Sequence, residues 1–174
     1  MVMMEQLKAA IREIQDWPKK GILFYDITTL LKDAACFQQA VNALIAPYQD
    51  KRVDIVLGVE ARGFIFAPTV AYALKAGFIP VRKPGKLPAQ TNRVEYALEY
   101  GTDSLEIHQD AIRPGQRVLV VDDLIATGGT AKAVAGIVEK MGGIVVGLAF
   151  LVELEFLHGR DKLTGYEITS ILKY

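Results

Sequence analysis

The sequence predicts an α/β fold, a mainly parallel twisted sheet flanked by helices. Short apolar runs of strand length recur along it: VDIVLGV at 53–59, RVLVVDD at 117–123 and IVVGLAFLVEL at 144–154. Between them lie stretches with helical periodicity, 64–77 and 128–143. Such alternation implies βαβ units with right-handed crossovers. One long polar excursion, 84–108, interrupts the rhythm as a hairpin. The whole chain, 174 residues, suits a single domain, 1–174.

Taken in order, Leu7, Ile11 and Ile14 recur at helical spacing and predict a first amphipathic helix. DWPKKG breaks it, and ILFYDI reads as a short strand. In 34–48, Phe37, Val41, Leu44, Ile45 and Tyr48 share one helical face. VDIVLGV is a buried strand, 64–77 a helix ended by Gly77, and FIPVRK another strand. Two alternating runs around Gly101-Thr102-Asp103 form the hairpin. Strand RVLVVDD, helix 128–143 and strand IVVGLAFLVEL follow, then a polar segment, HGRDKLTGY, and a last strand, EITSIL.

Composition narrows the function classes. Apolar residues make up 51%, enough for a sizeable core, which excludes global disorder. Twenty basic residues balance twenty acidic ones, which argues against a nucleic-acid-wrapping protein but leaves room for a local basic pocket. The single cysteine, Cys36, permits no disulfide framework and fits a reducing compartment. No run approaches the ~20 apolar residues needed to span a bilayer, and the first residues lack a signal-peptide core. The expectation is a soluble, cytoplasmic protein without membrane or nucleic-acid partners.

The chemistry concentrates in VLVVDDLIATGGT, 118–130. Glycines let backbone N–H groups converge on one point, and the following helix turns its positive dipole end to the same point. Thr127 and Thr130 add hydroxyl donors, so Ala126, Thr127, Gly128, Gly129 and Thr130 suit one phosphate group. Asp122 and Asp123 stand just before them at the strand end, where carboxylates accept hydrogen bonds from sugar hydroxyls. A ribose 5-phosphate carries both features. An ordinary strand–turn–helix corner with Asp as a local cap is the competing explanation of the same residues. GxxxxGK[ST] and GxGxxG are both absent.

This run resembles the phosphoribosyl pyrophosphate motif of the type I phosphoribosyltransferases. With GVEARGF, VRKPGKLP and LEYGTDSLEIH, it is similar to the adenine phosphoribosyltransferase branch, colinearly from about Trp17 to Glu153. The resemblance implies that fold, with a hairpin lid at about 84–108 and a small N-terminal hood at about 1–30 covering the base. It implies conversion of adenine and phosphoribosyl pyrophosphate to AMP and pyrophosphate in purine salvage, with Mg²⁺ held indirectly through Asp122 and Asp123. A homodimer is the usual assembly.

Site residues follow by position. Arg62, a fork-shaped cation on a strand-end loop, matches the family's pyrophosphate arginine, with Glu60 and Ala61 beside it. Lys83 and Lys86 join it, with Arg82 in the same cationic run. Glu99 is the family's glutamate that reaches the purine and serves its imidazole proton, with Tyr100 beside it on the lid. A closed lid would keep water from an oxocarbenium-like transition state. The carbonyl of Leu23 and the amide of Tyr25 would read adenine, Phe24 would stack on it and Leu124 would press from the other side. Tyr25 departs from the family's usual Arg, and Lys20 from a proline.

Other residues carry less. His108 and His158 have no partner at metal spacing, Cys36 reads as core, and Trp17 as a cover for the base or a dimer contact. Two alternatives remain at this stage. One is a non-catalytic regulator binding phosphoribosyl pyrophosphate, though a single N-terminal helix is too little for a helix-turn-helix. The other is an enzyme for another purine, for which Lys132 lies too near the phosphate loop.

Overall fold

The computed structural model describes residues 2–97 and 102–174. The chain forms two compact units, Met1–Ala43 and Leu44–Tyr174.

In the first unit, helix α1 spans Val2–Ala9 and the expected continuation through Ile14 does not occur. Arg12–Gln15 instead form strand β1, antiparallel to β2, Leu23–Asp26. Cross-strand pairing explains the switch. Arg12 stands opposite Asp26 and donates to its Oδ2 from Nη2 at 2.5 Å and from Nε at 3.1 Å. Ile14, β-branched, is at ease in a strand. The DWPKKG turn is closed by the Gly21 amide donating to Asp16 Oδ1 at 2.6 Å. Asp26 also accepts from the Thr28 amide at the start of α2, Thr28–Leu31. Arg12 and then Thr28 hold the Asp26 carboxyl down to about 2. Helix α3, Ala34–Ile45, follows and ends in the second unit, with Asp33 Oδ1 accepting from the Cys36 amide in its first turn. On its expected apolar face Leu44, Ile45 and, in the following 3₁₀ turn, Tyr48 are buried, while Phe37 and Val41 are half-buried.

The second unit holds β3 (Ile55–Val59), α4 (Gly63–Leu74), β4 (Gly77–Val81), β5 (Thr91–Ala97) and β6 (Thr102–His108). It continues with β7 (Arg117–Ile125), α5 (Gly129–Lys140), β8 (Ile144–Glu153) and β9 (Ile168–Lys173). Five strands make one parallel sheet in the order β4-β3-β7-β8-β9. The fold class is therefore the expected one. From β3 the first crossover moves to one edge, and from β7 the second moves to the other. Right-handed crossovers then put α4 and α5 on opposite faces. Side chains agree: Leu57, Val59, Val118, Val120, Leu148 and Phe150 pack with Val134, Ile137 and Val138 of α5. Gly58, of the other parity, faces α4, where an added Cβ would come within 2.7 Å of Ala67 Cβ.

The excursion 84–108 is a hairpin, β5 antiparallel to β6, with Arg82 bridged to Glu106 at its base. One expected boundary needs correction. Gly77 does not end α4: Lys75 takes the left-handed conformation there, and Gly77 opens β4. Two 3₁₀ turns, Glu155–Leu157 and Gly159–Leu163, replace a helix between β8 and β9. No helix among the described residues is long and apolar enough to cross a membrane.

Candidate active site

The order β4-β3-β7-β8-β9 reverses direction between β3 and β7. Doubly wound sheets leave a crevice beyond the carboxyl ends of the strands at such a point, because the two flanking connections diverge to opposite faces. A cavity of about 290 Å³ lies there. Residues 59–62 line one side and 122–131 the other, with Lys83, Tyr96, Leu105 and Phe150 completing the wall.

The β7–α5 corner is made by backbone. Gly128 stands at the N-cap of α5 with φ of 75°, a left-handed conformation that favours glycine. No side chain caps the helix, and its first intrahelical acceptor, Gly128 O, takes the Lys132 amide at 3.0 Å. The amides of the first turn thus have no partner within the helix, and Gly129, Thr130 and Ala131 line the cavity. Donors and dipole together suit an anion.

Asp122 and Asp123 precede this loop. Asp123 is 4% exposed, and its Oδ2 lies 2.8 Å from Arg62 Nε. Asp122 Oδ1 accepts from the Asp123 amide at 2.9 Å. It also abuts the first residue of α4: an added Cβ on Gly63 would stand 2.8 Å from that oxygen, so the residue must be small. Burial, then the neighbouring Asp123 charge, push the Asp122 carboxyl well above the ordinary range. Burial raises Asp123 too, against the opposing pull of Arg62. Two carboxylates so placed are short of donors, and hydroxyl groups would supply them.

Across the crevice the cations are organised by one acid. Glu60 Oε1 accepts from the Lys83 amide at 2.5 Å and lies 3.2 Å from Lys86 Nζ, while Oε2 lies 3.0 Å from Arg82 Nη2. Burial acts to raise the Glu60 carboxyl, but the Lys83 amide, Lys86 and Arg82 outweigh it and hold it low. Arg62, the cation expected to meet pyrophosphate, lines the crevice and faces Asp123. Lys83 Nζ is paired with Asp103 of β6, which also accepts from Tyr96 Oη at 3.2 Å.

The structure therefore brings Glu60, Ala61, Arg62, Lys83, Asp122, Asp123, Leu124, Ala126, Thr127, Gly128, Gly129 and Thr130 to one cavity. Lys86 is not on its wall but is tied to it through Glu60. Leu23, Phe24 and Tyr25 lie in β2 of the first unit, where Trp17 packs edge-on against Phe24 with ring centroids 4.3 Å apart. Leu23 and Tyr25 are two apart on a strand, so their backbone groups point to the same side. Burial, then Glu13, raise the Tyr25 phenol. Glu99 and Tyr100 lie outside the described residues. Tyr96, Leu105 and Phe150 were missed: each sits in an apolar or alternating run, where nothing separates a cavity wall from core.

A family model described as a phosphoribosyl transferase domain matches residues 28–169. An adenine phosphoribosyltransferase of Solibacter usitatus is 62% identical over 171 residues, covering 98% of this chain and 99% of that one. Another, of Clostridium perfringens, is 62% identical over 168 residues, 97% and 98% of the two chains. The crystal structure of adenine phosphoribosyltransferase from Thermoanaerobacter pseudethanolicus superposes with a TM-score of 0.95 at 56% identity, covering 98% of this chain and 99% of that one. The Saccharomyces cerevisiae enzyme, complexed with an imino-altritol bisphosphate and adenine, superposes with a TM-score of 0.92 at 38% identity, again over 98% and 99%. The chain belongs to the adenine phosphoribosyltransferase family.

Proposed function

We propose that this protein transfers the 5-phosphoribosyl group of phosphoribosyl pyrophosphate to adenine, giving AMP and pyrophosphate in purine salvage. The observation that carries the reading is the single cavity that joins the α5 N-terminus to the acid pair and Arg62. Its three chemistries match a phosphate, a diol and a second anion in one molecule. The relatives named for adenine support the base and leave the regulator and 6-oxopurine alternatives without support.

In this reading residues 126–130 hold the 5-phosphate and Asp122 and Asp123 the ribose hydroxyls. Arg62, Lys83 and Lys86 receive the pyrophosphate, with Glu60 and Ala61 shaping the loop. The bond from C1′ to pyrophosphate oxygen breaks, the bond to the imidazole nitrogen forms, and Glu99 takes the proton that this nitrogen loses. Leu23 carbonyl, Tyr25 amide, Phe24 and Leu124 hold adenine, and the lid with Tyr100 excludes water. The hood at about 1–30 and the hairpin serve one functional domain.

Mg²⁺ fits the donors present. Among the described residues no cluster of three potential ligands exists, while Asp122 and Asp123 offer adjacent carboxylates. Mg²⁺ keeps several waters and takes substrate phosphate oxygens, so indirect support from two acids suffices. When bound, it would neutralise charge on the leaving diphosphate. Exposed Tyr72 and Phe78 on α4 and β4 support a homodimer, and the single cysteine supports a cytoplasmic setting.

The test is AMP formation from adenine and phosphoribosyl pyrophosphate, with hypoxanthine, guanine and orotate in parallel. Adenine should be preferred. Turnover of another base in its place, or tight binding of the sugar substrate without turnover, would overturn the reading.

A further inference from the structure

Behind the phosphate loop the chain makes a contact of unusual closeness. An added Cβ on Gly128 would stand 2.2 Å from Gly159 O, and one on Gly159 would stand 2.2 Å from Ala126 O. Two backbones therefore touch at two points, with no side chain between them. Ala126 and Gly128 belong to the loop that lines the cavity, whereas Gly159 opens the 3₁₀ turn beyond β8.

Gly159 is followed by Arg160, whose guanidinium grips Glu153. Nε lies 2.6 Å from Oε1 and Nη2 lies 2.8 Å from Oε2. Nη2 also donates to Ser170 Oγ at 2.7 Å, and Ser170 in turn contacts Glu153. Glu153 is buried and is the sheet partner of Ile125, the residue just before Ala126. The Leu154 amide donates to Ile125 O at 3.0 Å. These links close a ring from Ile125 through β8 to Glu153, Arg160 and Gly159, and back to Ala126 and Gly128.

We propose that Gly159, Arg160 and Glu153 are positioning residues for phosphate binding: the Arg160–Glu153 clamp presses the Gly159 backbone against the phosphate loop and sets its amides. None of the three lines the cavity. A two-pronged Arg–carboxylate contact fixes direction as well as distance, which a lysine does not reproduce. A helix-terminal anion site depends on amide direction, so a small shift of the loop weakens the phosphate end and leaves the base end intact.

This inference rests on the proposed transferase reading. The test measures wild type, Gly159→Ala and Arg160→Lys for folded fraction by thermal melting, for Kd of ribose 5-phosphate by calorimetry, and for KM of both substrates. Folded variants should bind ribose 5-phosphate and use phosphoribosyl pyrophosphate about ten- to a hundredfold less well, with adenine KM nearly unchanged. Ribose 5-phosphate affinity equal to wild type in folded Arg160→Lys would overturn the proposal, even if Gly159→Ala fails to fold. Equal weakening of both substrates would also overturn it. Wild type that binds ribose 5-phosphate without making AMP would instead refute the transferase reading.

Discussion

The β7–α5 corner and the Glu60 clasp both shelter carboxylates from water, with opposite consequences. Asp122 and Asp123 stand side by side: burial and then the Asp123 charge drive Asp122 upward, and burial drives Asp123 upward, with Arg62 acting against the rise in both. The Glu60 side chain is as little exposed as that of Asp123, 7% against 6%, but it lies less deep and is held low by an amide and two cations. Low exposure alone therefore does not decide the protonation of an acid; its depth and its partners do. Glu60 is satisfied within the protein and acts as a strut. The acid pair is raised instead, and in the proposed function substrate hydroxyls complete it, so the instability is the mark expected of a binding site.

Losing the pair's chemistry should give the largest effect. Asp123→Asn removes a charged acceptor worth roughly 1.5–3 kcal/mol. The expected result is a fall of about ten- to a hundredfold in kcat/KM for phosphoribosyl pyrophosphate, with a smaller change for adenine at saturating partner. An unchanged value for the sugar substrate would remove Asp123 from the ribose site.

Stability should move the other way. Asp122→Asn removes a destabilising charge and should raise Tm at pH 8 by roughly 2–4 °C, about 1 kcal/mol for a chain of this size. The wild-type carboxyl is raised in the folded state, so its cost is present at high pH and fades as pH falls through the folded value. The gain from Asn should shrink in acid. Glu60→Gln should show the reverse sign. Its folded carboxyl is lowered, so its contribution is present above the ordinary glutamate value near ~4.3 and lost as pH falls below it. A loss of about 1 kcal/mol at pH 7 is expected, limited because Lys86 and Arg82 are more than a third exposed or nearly so. Melting curves between pH 4 and 8 compare the two directly, and parallel responses would break the contrast.

Most of the corner was legible in the sequence because its determinants are local. Strand, paired acids, glycines and helix lie within 118–140, and the left-handed Gly128 is where the motif needs it. The clasp was not legible. Glu60 reaches Arg82 and Lys86 across more than twenty residues, and Lys83 meets Asp103 near the Ala97–Thr102 end of the hairpin. Such pairs depend on crossovers that bring distant strand ends together. The same applies to Gly159, read only as part of a polar segment. At the N-terminus, Ile11 and Ile14 fit helical spacing, but Arg12 opposite Asp26 turned the segment into a strand.

Strand β2 extends the contrast to the base and should give the smallest effect. Like the phosphate loop, it is proposed to act through backbone, so its side chain should matter little. Tyr25, where the resemblance leads one to expect an arginine, is buried, 7% exposed. Tyr25→Arg should change kcat/KM for adenine by less than about tenfold, about 1.4 kcal/mol, or one net hydrogen bond. The Leu23 carbonyl and Tyr25 amide need only the extended shape, which tyrosine favours at least as well as arginine. Tyr25→Pro is the control, since proline removes the amide itself. It should damage adenine use severely while leaving ribose 5-phosphate binding in place. A harmless proline, or an arginine that raises activity about a hundredfold, a gain of nearly 3 kcal/mol, would show that side-chain charge rather than backbone geometry reads the base.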